Sequence, residues 1–376
     1  MLRFVHTGDW QIGMKAAHVG SVGETVRAER LASVRRLVDV AQKNEAAFLV
    51  VAGDTFEDNA IDRVLVQKIA DLLAAFGRPV YLIPGNHDPL VPGSLWHHPA
   101  WKSHANLHVL AEAVPFSFES TTIFPCPLFE KHSQKDPTRW INARETQGIC
   151  VGIAHGTVEG VSQDELDYPI PRDAASRSGL DYLALGHWHS TATYGDGNLA
   201  VRMAYSGTHE TTKFGERDSG NVLLVEIESR GKPPKITPIR TGRLNWQILD
   251  REIDEKSSLS QLRQEIEEIS EVDSTLVDVR LRGVLSRDQQ AELARIEVIV
   301  QARFLFGRID STKLLPRPED ETWLASLPAG VLREVAEQLK LLSDPTATLD
   351  RPDYASPEVA ARALMELYRA SAEVHG

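Results

Sequence analysis

The stretch Pro84-Gly85-Asn86-His87-Asp88 directly follows the short apolar run Val80–Ile83. The apolar run has the length of a buried strand, and the glycine behind it lets the backbone turn sharply and approach other segments closely. The three residues after the glycine then offer an amide, an imidazole and a carboxylate. An α/β scaffold gathers its site from side chains at strand ends. This stretch therefore predicts a strand-based fold with a site at the end of the strand.

Four other segments place metal-ligand side chains behind an apolar run in the same way. They are Thr7-Gly8-Asp9-Trp10-Gln11, Ala52-Gly53-Asp54-Thr55-Phe56, Ile153-Ala154-His155-Gly156 and Leu185-Gly186-His187-Trp188-His189. In a strand, residues i and i+2 point to the same side, so His187 and His189 can face one metal cluster, as can Asp9 and Gln11. Taken singly, such an aspartate is more often a turn or cap residue, and such a histidine a buried hydrogen-bonded one. Five such segments in one chain favour a metal site.

The elements around these segments alternate in the first 240 residues. Strands are predicted at Arg3–His6, Ala47–Ala52 and Val80–Ile83, and helices at Glu24–Lys43 and Ile61–Phe76 between them. Further strands are predicted at Leu107–Leu110, Ile149–Ala154, Tyr182–Leu185, Val201–Ser206 and Val222–Ile227. This order predicts a mixed α/β (α+β) fold, in which a two-sheet β-sandwich is flanked by helices.

Composition predicts three domains. A Gly- and Pro-rich stretch at residues 231–242 marks a boundary, so residues 1–241, which hold all five segments, are expected to form one domain. Residues 242–315 follow a β-α-β-α-β order with a capping box at Ser286, which predicts a small α+β domain. Residues 316–376 carry two amphipathic helices and are expected to form a helical tail. Whether the apolar stripes of the tail pack within the protein or dock a partner stays open.

Charge and composition exclude some classes of protein. The chain has 376 residues and a net charge of -12, which argues against a protein that coats nucleic acid non-specifically. A nuclease is still compatible, because bound metal cations and a local basic groove can attract phosphate. No apolar stretch approaches the ~18 residues that span a bilayer, so no membrane contact is expected. The N-terminus shows no secretory signal pattern, and Cys126 and Cys150 give no disulfide framework, so a cytoplasmic location is expected.

The five segments together resemble the calcineurin-like metallophosphoesterase superfamily. In detail they resemble its SbcD-type DNA repair exonucleases, the nuclease subunits that pair with a long coiled-coil ATPase. The finer likeness rests on the opening at residues 4–10, on residues 53–57 and on the Tyr205-Ser206-Gly207-Thr208 segment. It covers residues 5–208 closely, and the later parts match by position and layout only. The resemblance implies that residues 1–241 are the metallophosphoesterase catalytic domain and that residues 242–315 are a DNA-binding cap domain.

The resemblance implies two divalent metal ions, most simply manganese, with magnesium, iron or zinc as alternatives, and no other cofactor. The ligands of the first metal would be Asp9, Gln11, Asp54 and His189. Those of the second would be Asp54, Asn86, His155 and His187. Asp54 would bridge the two ions, which clamp an in-line displacement. His87 would be the general acid or phosphate-orienting residue, and Asp88 would hold it as a second catalytic residue.

Position 11 departs from the family, which usually has histidine there. A glutamine carbonyl oxygen can coordinate a metal, but it is a harder and weaker ligand than imidazole. Two interpretations stay open. Gln11 is either a weak ligand of the first metal, or it lies behind the ligands and the first site is open at that point.

The implied function is that of a metal-dependent DNA exo- or endonuclease, acting in DNA repair with an SbcC-like coiled-coil ATPase. A homodimer is also open. The alternatives are a small-molecule phosphodiesterase or phosphatase of the same superfamily, or a scaffold subunit with weak activity. Candidate contacts to DNA phosphates are Lys15, Arg30, Lys131, Lys135, Arg139 and Lys213. Two roles stay open for the tryptophans Trp96, Trp101 and Trp140, namely stacking on bases and packing in the core.

Overall fold

The chain divides into two compact units, Met1–Trp246 and Gln247–Gly376. The computed structural model describes residues 1–161, 167–195, 200–253, 259–318, 322–348, 351–352 and 355–375. The division falls slightly after the predicted boundary. The stretch at residues 231–242, which was expected to separate two domains, contains the strand Lys235–Arg240 of the first unit. The further division of the second unit into a cap and a tail stays a prediction.

The first unit is built on two six-stranded sheets. The strands of the first sheet are Leu2–Thr7 (β1), Leu49–Ala52 (β2), Val80–Ile83 (β3), Leu107–Val109 (β4), Asn221–Ile227 (β11) and Lys235–Arg240 (β12). Their spatial order is β12-β11-β1-β2-β3-β4, and β1 to β4 run parallel, whereas β11 and β12 are antiparallel to their neighbours. The carboxyl ends of β1, β2 and β3 therefore share one edge, and three of the five segments begin there.

The second sheet repeats this arrangement. Its strands are Phe116–Phe118 (β5), Thr121–Pro125 (β6), Ile149–His155 (β7), Tyr182–Gly186 (β8), Ala192–Gly195 (β9) and Val201–Tyr205 (β10). The spatial order is β5-β6-β7-β8-β10-β9, and the four middle strands are parallel. The ends of β7 and β8 consequently lie side by side, which joins the other two segments at one edge.

The two sheets pack face to face around a shared apolar core. Phe4, Val50 and Tyr182 belong to the inner cluster between the sheets, whereas the next residues along β1 and β2, Val5 and Val51, belong to the outer cluster. Successive side chains of a strand point to opposite faces, so both faces of the first sheet are buried and its strands read as continuous apolar runs. The predicted two-sheet sandwich is confirmed.

Helices cover the outer faces of the sheets. They are Gly23–Lys43 (α1), Arg63–Ala74 (α2) and the short Ala174–Ser178 (α3). The apolar sides of α1 and α2 pack in the outer cluster of the first sheet. Asp62 caps α2, because its carboxylate accepts a hydrogen bond from Val64 N at 2.9 Å. The flanking helices predicted from the sequence are thus present, with slightly different ends.

Two of the three candidate stacking tryptophans are core residues. Trp96 and Trp101 are buried and lie with their ring centroids 5.4 Å apart in the outer cluster. Trp140 is partly buried against the outer cluster of the second sheet. Trp96 and Trp101 therefore serve packing and are not available to stack on bases.

The second unit contains a three-stranded sheet and two helices that cover it. These elements are Asn245–Ile253 (β13), Leu259–Glu268 (α4), Thr275–Leu285 (β14), Gln290–Arg303 (α5) and Phe306–Pro316 (β15). The sheet order is β13-β14-β15, with β14 and β15 parallel. The predicted capping box at Ser286 forms with both of its hydrogen bonds. The predicted β-α-β-α-β order is present.

The described residues after β15 form three helices, namely Thr322–Ser326 (α6), Val331–Ser343 (α7) and Pro357–His375 (α8). The first of them was not predicted. They share a small core of Leu324, Leu327, Ala336 and Leu364. Another apolar set stays exposed: Val331, Leu332, Val335, Leu341 and Val359. The predicted stripes are therefore buried against each other only in part. No helix in the described part of the chain is long and apolar enough to cross a membrane.

Candidate metal centre

Two buried aspartates follow β1 and β2 at the shared edge of the first sheet. Asp9 is 0% exposed and Asp54 is 2% exposed. Both have a positive φ, 55° and 50°, which is uncommon for a residue with a side chain and marks local strain. Their loops are tied together, because Asp9 N donates to Gly53 O at 3.2 Å and Gln11 N donates to Asp54 O at 2.9 Å. This backbone holds the two carboxylates close together.

His155, at the end of β7, completes a group of three candidate ligands. Its Nδ1 lies 2.9 Å from Ala52 O, and because a carbonyl only accepts, Nδ1 carries the hydrogen. The other ring nitrogen, Nε2, lies 3.4 Å from Asp54 Oδ2, and it would offer a lone pair where a cation takes the place of its hydrogen. One ligand atom each from Asp9, Asp54 and His155 lies within 4.8 Å of the others. This geometry is compatible with one cation touching all three.

Glycine is required where these loops meet. A Cβ on Gly53 would lie 2.4 Å from His155 Nδ1, and φ at Gly53 is +86°. A Cβ on Gly186 would lie 1.8 Å from Ala52 O, the same carbonyl that orients His155. A side chain at either glycine would displace the histidine or its partner. The glycines in these two segments thus act by letting the two sheet edges approach.

Asn86 and His187 lie in the same cluster. Asn86 Oδ1 is 2.8 Å from His155 Nε2 and 3.2 Å from His187 Nδ1. The backbone N of His187 donates to Asp9 Oδ1 at 2.7 Å, and φ at His187 is 110°. The structure therefore brings five of the seven predicted ligands into one group built from the five motif segments, in which His187 is partly buried and the other four are buried.

His189 lies at the border of this group and is held by a residue that the sequence did not single out. Its Nδ1 is 2.7 Å from Glu216 Oε1. The two histidines of the GHxH segment thus differ, since His187 contacts Asn86 whereas His189 contacts a carboxylate. The only sequence signal for Glu216 is its position shortly after the Tyr205-Ser206-Gly207-Thr208 segment.

His87 is half-buried and has three polar contacts. Its backbone N donates to Asp54 Oδ1 at 2.9 Å, and its Nδ1 lies 3.0 Å from Glu57 O. Its Nε2 lies 3.3 Å from the side-chain nitrogen of Gln11. Since the carbonyl of Glu57 fixes the hydrogen on Nδ1, Nε2 is the acceptor for the Gln11 amide. The side chain of Gln11 therefore contacts the predicted acid.

Asp88 does not hold His87, contrary to expectation. Its two carboxylate oxygens accept from Gly85 N at 2.8 Å and from Phe56 N at 2.9 Å. The side chain is buried and closes the turn between the second and third segments. A carboxylate can satisfy two loop amides in this way, so its place in the motif is explained by the shape of the turn.

The electrostatics of the cluster follow from its burial. Burial raises the pKa of Asp9 to about 6 and, together with the charge of Asp54, that of Asp88 to about 8. Burial acts on Asp54 in the same direction, but the charge and hydrogen bond of His155 hold the pKa of Asp54 below its ordinary value. Against the effect of burial, the charges of Asp54 and Asp9 raise the pKa of His155 to about 9. The negative charges of Asp54 and Asp9 thus favour a cation next to His155.

A divalent metal ion fits the residues that are present. Asp9 Oδ2 is buried and has no hydrogen-bond partner among the residues that the structure describes. Leaving a buried acceptor unsatisfied costs about 1–3 kcal/mol, and more for a charged group. Carboxylate oxygen and imidazole nitrogen are ligands that manganese, iron and zinc accept. The orphaned oxygen and the mixed donor set therefore favour a cation at Asp9, Asp54 and His155.

The calcineurin-like phosphoesterase family matches residues 2–191, about half of the chain and all five motif segments. The chain belongs to this family. The match ends within the second sheet, so it says nothing about the second unit.

Individual proteins also resemble this calcineurin-like phosphoesterase. The uncharacterized metallophosphoesterase YhaO of Bacillus subtilis (strain 168) is 27% identical over 241 residues, which cover 60% of this chain and 57% of that protein. The solved structure of TT1561 from Thermus thermophilus matches with a TM-score of 0.42 and 8% identity, over 64% of this chain and 99% of that one. A dimetal phosphatase from Danio rerio matches with a TM-score of 0.40 and 12% identity, over 62% and 98% of the two chains.

One candidate DNA contact of this phosphoesterase is wrong. Arg30 is only 1% exposed, because it lies on the buried face of α1, where its guanidinium donates to Glu210 O at 3.3 Å. A buried guanidinium cannot meet a phosphate on the surface. The remaining candidates are exposed and stay predictions: Lys15, Lys131, Lys135, Arg139 and Lys213.

Proposed function

We propose that this phosphoesterase is a two-metal phosphodiesterase that cleaves DNA. Metal dependence of the activity is supported by the buried Oδ2 of Asp9, which has no hydrogen-bond partner among the described residues. Asp9 forms a candidate ligand group with Asp54 and His155. When bound, a pair of divalent ions neutralises charge on the phosphate and activates a water as nucleophile. The seven ligands predicted from the sequence remain the proposed ligands, with manganese as the preferred metal.

The residues of the chain have separate tasks in this proposal. Asp54 gives one oxygen to the backbone of His87, so its other oxygen, Oδ2, is the one that faces His155 and a cation. His155 is oriented by its bond to Ala52 O, which leaves Nε2 for the metal. His87 is oriented by Glu57 O, and in the imidazolium form, where Nε2 carries a second hydrogen in place of the contact with the Gln11 amide, it would protonate the leaving oxygen. Orienting each ring through its Nδ1 makes Nε2 the reactive atom in both cases.

DNA as the substrate rests on the likeness to SbcD-type nucleases. The likeness includes the opening segment and the Tyr205-Ser206-Gly207-Thr208 segment, and a small α+β unit follows the catalytic unit as it does in those proteins. The aligned part of the Bacillus subtilis relative is only 57% of its length, so the activity of the whole protein is part of the proposal.

Hydrolysis assays on the purified chain test the proposal. The substrates are a small phosphodiester, a blunt DNA duplex and a DNA hairpin, each with Mn²⁺ and with EDTA. We expect Mn²⁺-dependent cleavage of DNA that the Asp54→Ala variant lacks.

The control is Glu226→Ala, which removes the ion pairs of Glu226 with Arg3 and Lys235 in the first sheet, away from the cluster. Cleavage of the small diester alone would indicate a small-molecule phosphodiesterase. Inactivity on every substrate would indicate a scaffold.

A coiled-coil ATPase is proposed as the partner, with the exposed apolar side of α7 as the docking surface. Val331 is 75% exposed, Leu332 54% and Val335 40%, so these side chains are available to a partner helix. We expect replacement of all three by glutamate to abolish co-purification with an ATPase encoded nearby. The matched control is Val298→Glu on α5, a similarly exposed valine at 66%. Unchanged binding by the triple variant would rule out this surface.

A further inference from the structure

A polar contact between His189 and Glu216 lies at the border of the cluster. His189 Nδ1 lies 2.7 Å from Glu216 Oε1, and the two side chains are only 19% and 4% exposed. An imidazole can use either ring nitrogen, and the hydrogen bond at one nitrogen decides which role the other has. When Nδ1–H of His189 donates a hydrogen bond to the carboxylate of Glu216, the lone pair of the ring lies on Nε2.

The carboxylate of Glu216 is itself fixed by the loop that carries it. Its Oε2 accepts from Thr212 N at 2.7 Å and from Lys213 N at 3.4 Å, and Oε1 also accepts from the Thr212 hydroxyl. Both oxygens are therefore saturated by this loop and by His189. A group held from both sides can define the orientation of a ring, whereas a mobile surface glutamate cannot.

Backbone contacts join this loop to the segment of His189. Arg217 N donates to Ser190 Oγ at 3.1 Å, and Thr191 N donates to Asp218 O at 3.2 Å. The residues that follow Glu216 are thus paired with the residues that follow His189. The spacing of the two side chains is set by the backbone on both sides, as expected for a contact built into the fold and not for a chance surface pair.

We propose that Glu216 is a positioning residue for His189, which it holds with Nε2 available to a divalent metal ion. This inference rests on the proposed function, since it assigns His189 to one of the two metals. Carboxylates and carbonyls that bind the second nitrogen of a metal-ligating histidine typically change metal affinity by about 10–100-fold when removed. Ala52 O has the equivalent position for His155, so each of these two histidines is oriented through Nδ1 by a different kind of acceptor.

Metal binding by the full chain tests this role without relying on activity. Protein stripped with EDTA is titrated with Mn²⁺ by calorimetry, and the absorption spectrum of the Co²⁺ form reports the ligand environment. We expect two Mn²⁺ ions per wild-type chain. In Glu216→Ala, one site should weaken about 10–100-fold with a changed Co²⁺ spectrum, and the other should keep its affinity. Glu216→Gln retains an oxygen that can accept from Nδ1, so its loss at the same site should be smaller.

Glu210 offers a matched control in the same segment. It is a buried glutamate whose carboxylate accepts from Arg243 N at 2.8 Å and Leu244 N at 3.0 Å, outside the cluster. Glu210→Ala should lower thermal stability at least as much as Glu216→Ala and leave both metal affinities unchanged.

The outcomes separate this inference from the proposed function. If the wild-type chain binds fewer than two Mn²⁺ ions, the proposed function fails. If the wild type binds two ions and Glu216→Ala binds both with wild-type affinity, the positioning role is overturned and the function stands. Equal weakening of both sites, or the same change in Glu210→Ala, would show a merely structural role. If Glu216→Ala does not fold, Glu216→Gln decides, and unchanged affinity at both of its sites overturns the role.

Discussion

Asp9 in the first unit and Asp278 in the second unit are both buried, but the two aspartates have opposite surroundings. In the second unit, Asp278 on β14 accepts from Arg308 at 2.8 and 2.9 Å and from Arg280 at 2.8 and 3.0 Å. In the first unit, Asp9 has one oxygen bonded to a backbone amide and the other without a partner among the described residues. Hydrogen bonds from the arginines lower the pKa of Asp278 despite its burial, whereas burial raises that of Asp9 to about 6.

The two units also differ in their backbone conformations. The described part of the first unit has nine non-glycine residues at positive φ, and four of them lie within the candidate site, namely Asp9, Gln11, Asp54 and His187. In the described part of the second unit, Glu271 is the non-glycine residue with positive φ, and it starts a 3₁₀ turn. Strain and an unsatisfied charge in one place indicate a function that compensates for them. A buried charge that its own chain pairs indicates structure. The following predictions test this distinction.

The largest expected effect is the loss of hydrolysis in Asp54→Ala. Asp54 is the carboxylate shared by the contacts of His155 and His87, so its removal should reduce activity to the uncatalysed background. Addition of EDTA to the wild type should have the same effect. The protein should stay folded by circular dichroism, because the substitution removes contacts to His87 N and His155 at the sheet edge and leaves the apolar core between the sheets intact. Activity in chelator, or full activity of the variant, would contradict a two-metal site.

The next effect is that of His87→Ala, which separates chemistry from metal binding within the first unit. His87 is half-buried and its ring contacts Glu57 O and Gln11, outside the group of Asp9, Asp54 and His155. We expect the turnover number to fall about 10²–10⁴-fold, the usual contribution of a general acid. Metal content by mass spectrometry should not change. Loss of a metal in this variant would mean that His87 is a ligand.

A pair of conservative variants compares the two aspartates directly. In EDTA, Asp9→Asn should increase the free energy of unfolding by about 1 kcal/mol, since it removes a buried charge that lacks a cation. Asp278→Asn should decrease it by about 1–3 kcal/mol, because it weakens charged hydrogen bonds to two arginines. Urea denaturation measures both changes, with fluorescence and circular dichroism compared for each unit. A destabilised Asp9→Asn would show that the charge of Asp9 is compensated within the protein, as that of Asp278 is.

The pH dependence of Asp278→Asn follows from the lowered pKa of Asp278. A carboxylate whose pKa is lower in the folded state stabilises the fold above its unfolded-state pKa, and this contribution disappears as the pH falls through the folded-state pKa. The wild type and Asp278→Asn should therefore differ at neutral pH and converge in strong acid. A difference that persists in strong acid would show that packing, and not the ion pairs, holds this side chain.

Much of the fold and of the site could be predicted, for reasons visible in particular residues. Apolar runs such as Val80–Ile83 lie in strands with both faces buried, so their length and composition identify them. The motif residues follow such strands, and parallel strands end at one edge. Edge strands such as β5 and β12 were missed, because their half-exposed residues lack a continuous apolar run.

The sequence did not predict contacts that depend on distant segments. Glu216 and the carbonyl of Ala52 were missed as partners of His189 and His155, since their roles arise only when the loops meet. Arg30 was misread as a surface cation, because its place on the buried face of α1 depends on Glu210, far along the chain. Asp88 was misread for a similar reason, as its partner Phe56 N lies in another segment.

The smallest expected effect concerns Gln11, where the chain departs from its family. Gln11→His should lower the Mn²⁺ concentration for half-maximal activity by up to about tenfold, because imidazole is a stronger ligand than an amide oxygen. Gln11 lies 3.3 Å from His87 Nε2, however, so the same change also removes the amide from the predicted acid. The two effects differ in the measured parameter: a gain in metal affinity shifts the metal titration, whereas a disturbed His87 lowers the turnover number at saturating Mn²⁺. A titration of Gln11→His, with Gln11→Ala as the control that lacks both an amide and an imidazole, distinguishes them. If Gln11→His and Gln11→Ala have the metal requirement of the wild type and equally low turnover, Gln11 serves His87 and is not a ligand.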